Sequence, residues 1–468
     1  MHIFRSPLRL RWVSACLVAA LFLFATIHVL SQTPAATTTV DLAAAMDSYA
    51  APLYNPIEPG AAVIVVKDGK TIFRKGYGLA NMELNIPVKP EMVFRLASVT
   101  KQFTAVATIM LVDQGKLRLD DEITKYLTDY PAVGNRIKIE NLLTHTSGIE
   151  DYIEKFWPNT MREDLKPERL INTFKNDPLE FEPGARDSYS NSNYVLLGRI
   201  IEKISGKTYR QFVEDNIFKP LAMTHSYYEE NQDLIPNRAS GYLNYKGVLV
   251  NAPYMSAQQL YAAGALYSSV DDLALWDAAV YSDKLLKHES WERLFTPYRL
   301  ANGRTSVYAY GWAIGQFQGR VAESHGGGLP GSRAWVLRLP QDHVYVAILS
   351  NDSTAETQPE TVANRLAAIA IGKPIADLKI IELDAAKLDA FAVQYKSGDD
   401  IFTVRRQGDK LIGASIGNPD VELFPVSMDK FIIKSYDAKV SFVRDGQGNL
   451  TGISIDFMGQ PQNYRKTR

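Results

Sequence analysis

The sequence predicts an α+β protein that carries a small antiparallel β-barrel at its C-terminal end. Three patterns predict this class: a strand pair near the beginning of the chain, helical periodicity through the middle, and a return to strand patterns near Arg320. Strands on both sides of a helical block are joined most economically in one antiparallel sheet. We therefore expect an antiparallel sheet flanked by helices, with a helical subdomain inserted between its strands.

The first elements are a helix and a hairpin. A helix is expected over residues 41–49, and the stretch "GAAVIVVKDGKTIFRKGYGLAN" holds two β-rich runs around Asp68-Gly69. An Asp-Gly pair between two such runs is typical of a β-hairpin. Residues 94–202 are mostly helical in pattern, and two of the helices are expected to stop at Gly115 and Gly206.

The last third of the chain returns to strands. The runs "RAWVLRLP" and "HVYVAILSN" read as strands, and "ETVANRLAAIAIGK" reads as a helix that ends at Gly372. Beyond residue 392, short β-rich runs alternate with Gly-containing turns, which predicts an antiparallel barrel or sandwich of about 80–90 residues. The predicted organisation is a signal peptide or anchor (1–35), a main domain (41–373), a linker (374–391) and the barrel (392–468).

Composition excludes several kinds of function. Hydrophobic residues make up 46 % of the chain, charged residues 22 %, and the net charge is −1, so nothing favours nucleic acid or an anionic membrane surface as a partner. The single cysteine, Cys16, excludes an intrachain disulfide, and the folded domain has no cysteine for a thiolate metal site. Metal-binding spacings and a Gly-rich phosphate loop are both missing from the sequence, so no cofactor is expected.

The N-terminus has the layout of an export signal. Arg5, Arg9 and Arg11 precede an apolar run over residues 12–30, and the polar stretch "SQTPAATTT" follows. The apolar run is almost long enough to cross a bilayer, so an uncleaved N-terminal anchor is the alternative to a signal peptide. Either way we expect a periplasmic or secreted protein.

The first chemical candidate is the Ser-x-x-Lys pair in "FRLASVTKQFTAVATIM". Ser98 and Lys101 lie three residues apart, and on a helix such positions share one face with Cβ atoms about 5–6 Å apart. A serine hydroxyl is a weak nucleophile and needs a base. A lysine can act as that base if its surroundings lower its pKa from about 10.4. The alternative is an N-cap serine followed by a surface lysine.

The second candidate is the Tyr-x-Asn pair in "DSYSNSNYVLLG". Tyr189 and Asn191 are expected just before a helix that is capped by Ser192 or Asn193. A tyrosine can act as a general acid–base if its pKa of about 10 is depressed. The asparagine can orient a substrate amide or the lysine. The alternative is a loop tyrosine that packs its ring.

The third candidate is a histidine followed by three glycines in "ESHGGGLPGSRAWVLRLP". Glycines weaken a strand, so this run favours close approach of a ligand, with N–H groups turned to an oxyanion. His325 can bind a carboxylate or donate a proton, unless it is incidental to a turn. The rival histidine, His145 in "LLTHTSGIEDY", is interpreted as structural, fixing a loop near the site. Ser147 in the same stretch lacks the nucleophile-elbow pattern G-x-S-x-G.

The order of these three patterns resembles that of the penicillin-recognising serine hydrolases. The stretches "LRLDDEITKYL", "IKIENLLTHTSGIEDY" and "AAGALYSSVDDLALW" are similar to the class C β-lactamase-like branch, which includes DD-peptidases, D-aminopeptidases and esterases. The resemblance covers residues 41–372 and implies a β-lactamase/transpeptidase-like fold. The tail, with "FTVRRQGDKLIG" and "VSFVRDGQGNLTGISI", looks like the lipocalin-like barrel that is often appended to such enzymes.

The resemblance also implies roles for individual residues. The implied set is Ser98 as the acylated nucleophile, Lys101 as its base, Tyr189 as the second acid–base group, Asn191, His325, Gly326 and Gly327 as substrate-binding residues, and the backbone N–H groups of Ser98 and Gly328 as the oxyanion hole.

The sequence departs from the β-lactamase pattern at His325, which stands where those enzymes carry lysine. Histidine has a pKa of about 6.5 and is mostly neutral at pH 7, and Gly326 replaces a hydroxyl donor. An ester or a peptide, including one with D-amino acids, is therefore the expected substrate, with cell-wall peptide as one candidate. The alternatives are a true β-lactamase or a non-catalytic binding protein. Specificity is expected in the loops 149–176 and 233–261.

Overall fold

The computed structural model describes residues 41–153, 160–376, 378–398, 400–415, 420–433, 438–457 and 460–467. The predicted signal peptide or anchor, with Cys16, lies outside these residues. The helices of the described part are α1 (Leu42–Ala50), α2 (Thr100–Asp113), α3 (Ile139–Leu143), α4 (Pro167–Asn172), α5 (Asn191–Ser205), α6 (Tyr209–Val213), α7 (Lys219–Leu221), α8 (Tyr261–Gly264), α9 (Val270–Val280), α10 (His288–Leu294), α11 (Pro359–Ala370) and α12 (Ala385–Asp389). None of the helices described is both long and apolar enough to cross a membrane.

The strands form one large sheet, three small ones and a barrel. The strands before the barrel are β1 (Ala61–Lys67), β2 (Lys70–Tyr77), β3 (Leu79–Asn81), β4 (Ile86–Pro87), β5 (Phe94–Arg95), β6 (Tyr227–Tyr228), β7 (Tyr242–Tyr245), β8 (Val248–Asn251), β9 (Leu266–Ser268), β10 (Ala313–Phe317), β11 (Arg320–Leu329), β12 (Ser332–Leu339) and β13 (Val344–Ser350). The barrel strands are β14 (Gln394–Ser397), β15 (Asp400–Gln407), β16 (Lys410–Ser415), β17 (Val421–Pro425), β18 (Lys430–Ile433), β19 (Ala438–Arg444), β20 (Leu450–Phe457) and β21 (Gln460–Lys466).

The large sheet joins both ends of the main domain. Its six strands run in the order β10-β11-β12-β13-β1-β2, and β1 pairs antiparallel with both β2 and β13. Successive side chains of a strand point to opposite faces, so Val63 packs with α1 and α11 while Ile64 packs with the helical subdomain. The predicted α+β architecture, with one antiparallel sheet flanked by helices, is confirmed.

Local signals in the sequence account for several boundaries. Asp68 and Gly69 both have positive φ, 50° and 70°, as a two-residue type I′ hairpin requires. The Asp41 carboxylate accepts the Ala44 N–H at 3.1 Å and caps α1. Gly206, in the left-handed conformation, ends α5. These turns and caps agree with the sequence prediction.

The helical subdomain is less regular than its sequence pattern indicates. The long helices α2 and α5 are present, but the residues described between them form the short helices α3 and α4, two 3₁₀ turns and irregular chain. The loop that carries Thr146 and Gly148 is held by backbone hydrogen bonds, from Gly184 to Thr146 and from Glu180 to Gly148. These long-range contacts replace helical hydrogen bonds, and they bring the loop against the start of α5.

The C-terminal strands form a closed antiparallel barrel, as predicted, because the first strand, β14, pairs with the last, β21. Aromatic side chains fill its interior: the ring of Phe391 lies 4.1 Å from that of Phe442 and 5.4 Å from that of Phe431. The barrel is therefore packed around its own core. The domain limits 41–373, 374–391 and 392–468 remain a prediction.

Candidate active site

Ser98 lies in a single 3₁₀ turn, Ala97–Val99, that leads directly into α2. The preceding residue, Ala97, is held in the left-handed region with φ 47°. This conformation is unfavourable for a residue with a side chain, and such strain is concentrated at functional sites. The turn places the half-buried Ser98 at the positive end of the helix dipole.

Lys101 is fully buried and connects three elements of the fold. Its Nζ lies 3.1 Å from Ser98 Oγ, 2.8 Å from Asn191 Oδ1 and 3.0 Å from the carbonyl oxygen of Ala263. Two of these three partners are carbonyl oxygens, which can only accept hydrogen bonds. A neutral lysine amine has two N–H donors for them, and its lone pair is then directed at the Ser98 hydroxyl.

Burial makes this neutral form accessible. Desolvation lowers the pKa of Lys101 from 10.5 to about 7, although the negative charge of Asp151 opposes the shift. Two aromatic rings lie beside the amine, with Nζ 4.8 Å from the ring centroid of Tyr189 and 5.6 Å from that of Tyr194. Lys101 thus has a pKa suited to a base that works near neutral pH.

Tyr189 lies beside Ser98 and keeps 44 % of its surface exposed. Its ring packs 4.4 Å from the ring of His145. Desolvation of the hydroxyl raises its pKa even though 44 % of the residue is exposed, and a hydrogen bond with Ser98 opposes that rise. The sequence argument required a depressed pKa, and the structure gives the opposite direction. The hydroxyl is therefore protonated at neutral pH, as a proton donor must be.

Asn191 is the first residue of α5, and its side chain links Lys101 to Asp151. Its Oδ1 accepts from Lys101, and its Nδ2 donates to Asp151 Oδ2 at 2.7 Å. The helix begins earlier than predicted, because Ser192 and Asn193 use their side chains in tertiary contacts instead of capping. Ser192 donates to the Glu150 carbonyl, and Asn193 contacts the His145 ring.

His145 holds the loop that carries Tyr189, as the sequence interpretation proposed. Its Nδ1 accepts the backbone N–H of Ser190 at 3.2 Å, and its carbonyl accepts that of Ser188 at 2.9 Å. Since Nδ1 is an acceptor, the neutral ring carries its proton on Nε2. Burial and the charge of Lys101 both lower the pKa of His145 well below its usual value, so the ring is neutral.

His325 lies in β11, and both of its ring nitrogens are engaged within the protein. Nδ1 is 2.6 Å from the Gly326 carbonyl oxygen, so Nδ1 carries the proton, and Nε2 accepts from the Tyr308 hydroxyl at 2.7 Å. Burial lowers the pKa of His325 to about 3, and the charge of Lys101 adds to this shift. His325 is thus a neutral residue across the physiological pH range.

The three glycines after His325 run past the Ser98 turn, and packing explains two of them. A Cβ on Gly326 would lie 2.9 Å from the Trp335 ring, and a Cβ on Gly327 would lie 2.2 Å from the Leu96 carbonyl oxygen. The glycine run was expected to allow close approach of a ligand, but at Gly326 and Gly327 the close neighbours are the protein's own Trp335 and Leu96. A Cβ on Gly328 would meet nothing within 4 Å, so this residue faces open space.

The direction of the Gly328 backbone N–H follows from the hairpin that joins β11 to β12. Leu329 and Ser332 flank the two-residue turn and form its closing pair, and such a pair exchanges both backbone hydrogen bonds. The next pair along, Gly328 with Arg333, is then a non-hydrogen-bonded pair, so the N–H of Gly328 points away from β12. Since β10 pairs with β11 only as far as Ser324, this outer edge is open near Ser98.

The structure therefore brings all the predicted side chains together and adds two that the sequence argument missed. Asp151 lies in a loop and shows no local motif, although the sequence analysis did place specificity in that loop. Tyr308 lies in irregular chain before β10, and its contact with His325 depends on the tertiary fold. Among the described residues, no group of three or more His, Cys, Asp or Glu side chains could hold a metal ion.

Comparison with known proteins places this geometry in a family. The Beta-lactamase family model matches residues 53–370. Penicillin-binding protein 4* of Bacillus subtilis is 29 % identical over 405 residues, which cover 81 % of this chain and 89 % of that protein. D-aminopeptidase of Gluconobacter oxydans is 27 % identical over 68 % of this chain, and the match spans only 59 % of that enzyme.

Solved structures extend the similarity over most of the chain. The octameric penicillin-binding protein homologue from Pyrococcus abyssi is 27 % identical, covers 90 % of this chain and superposes with a TM-score of 0.64. The D-amino acid amidase from Ochrobactrum anthropi, 21 % identical over 71 % of this chain with a TM-score of 0.62, shares the fold. The chain thus belongs to the Beta-lactamase family, and it is a serine hydrolase of the penicillin-recognising, class C-like branch.

Proposed function

We propose that this protein is an exported hydrolase that forms an acyl-enzyme on Ser98 and cleaves an ester or a peptide. The observation that carries the proposal is the position of Lys101, whose Nζ lies 3.1 Å from Ser98 Oγ and donates to the carbonyl oxygens of Asn191 and Ala263. In the neutral amine these two oxygens take both N–H groups, and the lone pair is left for the Ser98 hydroxyl. A buried lysine with a pKa of about 7 is half neutral at pH 7, which suits a general base.

The acyl transfer uses three side chains. Ser98 Oγ attacks the carbonyl carbon while its proton moves to Lys101 Nζ. Tyr189, protonated and beside Ser98, donates its proton to the leaving nitrogen or oxygen as the bond to the carbonyl carbon breaks. Water then attacks the Ser98 ester, and the Tyr189 phenolate takes a proton from that water. As the bond to Ser98 Oγ breaks, Lys101 returns its proton to Ser98 and the acid product leaves.

The negative charge that develops on the carbonyl oxygen needs donors. We assign them to the backbone N–H of Ser98, at the helix start, and to the N–H of Gly328, on the open edge of β11. Preorganised donors of this kind stabilise the tetrahedral intermediate more than the ground state. The substrate is proposed to lie along that edge, against Gly326, Gly327 and the ring of His325, with Asn191 beside it.

The neutrality of His325 argues against β-lactams as the main substrates. In β-lactamases, a lysine cation at this position was expected to pair with the carboxylate of the substrate. His325 stands in its place here, and it is buried and has a pKa of about 3. A carboxylate placed there would lose its water without gaining a charge partner. Esters and peptides do not need that cation, and the similarity to a D-aminopeptidase supports a peptide substrate with D-amino acids.

Export and domain organisation belong to the same proposal. Residues 1–35 are proposed to direct the chain out of the cytoplasm, as a cleaved signal peptide or a retained anchor, and the site would then meet cell-wall peptide. Residues 41–373 would be the hydrolase, 374–391 a linker and 392–468 the barrel. The chemistry described needs no cofactor.

A substrate panel on the purified protein tests the proposal. Hydrolysis of p-nitrophenyl esters, D- and L-alanyl p-nitroanilides and nitrocefin is compared for the wild type, Ser98→Ala and the control Ser147→Ala. Ser147 is buried and donates to Asn193 at 2.6 Å, so its loss does not touch Lys101. We expect Ser98→Ala to lose at least about 10³-fold in activity.

Two results would contradict the proposal. Ser98→Ala with wild-type turnover would remove the nucleophile. Nitrocefin turnover above about 10 s⁻¹, the median for enzymes, would replace the ester or peptide preference by β-lactamase activity.

A further inference from the structure

Asp151 is a carboxylate that the catalytic scheme does not use. Its Oδ2 accepts from Asn191 Nδ2 at 2.7 Å, and its Oδ1 accepts the backbone N–H of Ile153 at 3.0 Å. Both oxygens are held in place by these donors, and the side chain is only partly buried. Asp151 is thus a fixed negative charge with room for a further partner.

The charge of Asp151 dominates the site when Lys101 acts as base. A neutral Lys101 contributes no positive charge, and burial keeps the nearby rings of His145 and His325 neutral as well. The carboxylate that acts on Lys101 and on Tyr189 is in both cases Asp151. In the working protonation state these groups together carry one negative charge, which attracts a cationic substrate group and repels an anionic one.

The distance suits a group adjacent to the reacting carbonyl. Only Lys101 and Asn191 separate Ser98 from Asp151, through contacts of 3.1, 2.8 and 2.7 Å. In an amino-acid derivative the α-nitrogen lies about 2.5 Å from the carbonyl carbon, and that carbon approaches the nucleophile to about 3–3.5 Å. An α-ammonium therefore reaches to about 6 Å from Ser98 Oγ, which is on the scale of the few hydrogen-bond lengths that link Ser98 to Asp151 through Lys101 and Asn191.

Asn191 supports the same conclusion. An N-acylated substrate brings a carbonyl oxygen to this position, and that oxygen needs a donor. Asn191 Nδ2 donates one of its two hydrogens to Asp151, which leaves the other for a substrate oxygen, but the carboxylate of Asp151 can only accept. An acyl oxygen placed against Asp151 would therefore set acceptor against acceptor, whereas an ammonium supplies up to three donors.

We propose that Asp151 recognises a free α-ammonium group next to the scissile carbonyl, so that the substrates are esters and amides of amino acids or peptides with a free amino terminus. This inference rests on the proposed function, because it assumes acyl transfer at Ser98. It makes Asp151 a specificity-determining residue, and the substrates an aminopeptidase type.

The test compares matched substrates that differ only at the amine. Values of kcat/KM are measured for alanine p-nitroanilide and N-acetylalanine p-nitroanilide, in both configurations, with the wild type, Asp151→Asn and Asp151→Glu. The readout is the ratio of free-amine to N-acetyl kcat/KM. We expect this ratio to exceed 1 in the wild type. In Asp151→Asn it should be about 10- to 100-fold lower, as for the loss of a charge-assisted hydrogen bond, and in Asp151→Glu it should recover in part.

The ratio separates recognition from a structural effect. If Asp151 only held Asn191 and Lys101 in place, Asp151→Asn would slow both substrates equally, and an unchanged ratio would overturn the inference. So would a wild-type preference for the acetylated substrates. The wild-type ratio should also decline above pH 8, where an α-amino group loses its proton.

Labelling of Ser98 by a fluorophosphonate distinguishes the two proposals. A labelled wild type without an amine preference leaves the proposed function standing and refutes the role of Asp151. A wild type that is neither labelled nor active refutes both.

Discussion

The pH dependence of catalysis follows directly from the burial of Lys101. Its pKa of about 7 makes the free-base fraction about 1 % at pH 5, one half at pH 7 and about 90 % at pH 8. Because only the neutral amine can take the Ser98 proton, kcat/KM should rise about tenfold per pH unit below pH 7 and level off above pH 8.

The assay is hydrolysis of p-nitrophenyl acetate, which carries no charge in this pH range, measured from pH 5 to 9. The profile of kcat/KM reports groups of the free enzyme. The two histidines of the site do not account for a limb near pH 7, since burial lowers the pKa of His325 to about 3 and that of His145 well below its usual value.

Asp151 provides an internal control. Its charge opposes the burial shift of Lys101, so Asp151→Asn should move the acidic limb of the profile to lower pH. A flat profile from pH 5 to 9, or a limb centred near the ordinary lysine pKa of about 10.4, would refute Lys101 as the base. An acidic limb that does not move in Asp151→Asn would refute the coupling of the two groups.

Three further predictions concern stability. The folded state depresses the pKa of Lys101, so the unfolded chain binds more protons than the folded one between pH 7 and 10.5, and stability rises with pH there. In urea unfolding, the free energy of unfolding of the wild type, relative to that of Lys101→Met, should increase by up to about 5 kcal/mol across this window. A Cβ on Gly327 would lie 2.2 Å from a backbone carbonyl oxygen, so Gly327→Ala should lower the free energy of unfolding by about 1–3 kcal/mol. A Cβ on Gly328 would meet nothing within 4 Å, so the matched control Gly328→Ala should melt like the wild type. Asp277→Asn should cost about 1.5–3 kcal/mol, because Arg338, which is 1 % exposed, loses one charge-assisted hydrogen bond while Glu323 still balances its charge. A loss below about 0.5 kcal/mol would contradict that assignment.

The parts of the fold that the sequence predicts are those with local signals. Asp68-Gly69 requires positive φ at both positions, and Gly206 ends α5, so hairpin and helix boundaries follow from residue type alone. The closure of the C-terminal strands into a barrel was one of two predicted options. It depends on the pairing of β14 with β21, which lie about 70 residues apart, and no local pattern encodes such a contact.

The residues of the candidate site also divide into those that lie in a local sequence motif and those that do not. Ser98, Lys101 and His325 are visible because each lies in a short motif. Asp151 contacts Asn191 across 40 positions and Tyr308 contacts His325 across 17, so neither partner has a signature in the sequence.

The protonation states also depend on the fold. The pKa of Tyr189 moves upward, contrary to the sequence argument, because burial outweighs its hydrogen bond with Ser98. From the sequence, His325 was expected to have the ordinary histidine pKa of about 6.5, with binding of a carboxylate or donation of a proton as its candidate roles. Burial in β11 instead lowers its pKa to about 3, which the residue type alone could not indicate.

The central claim is that Ser98 is the residue that becomes acylated. Incubation of the purified protein with a fluorophosphonate, followed by proteolysis and mass mapping, identifies the modified residue. The account predicts a single adduct on the peptide that contains Ser98, lost in Ser98→Ala and strongly slowed in Lys101→Met. An adduct on another serine, or equal labelling of Ser98→Ala, would contradict it.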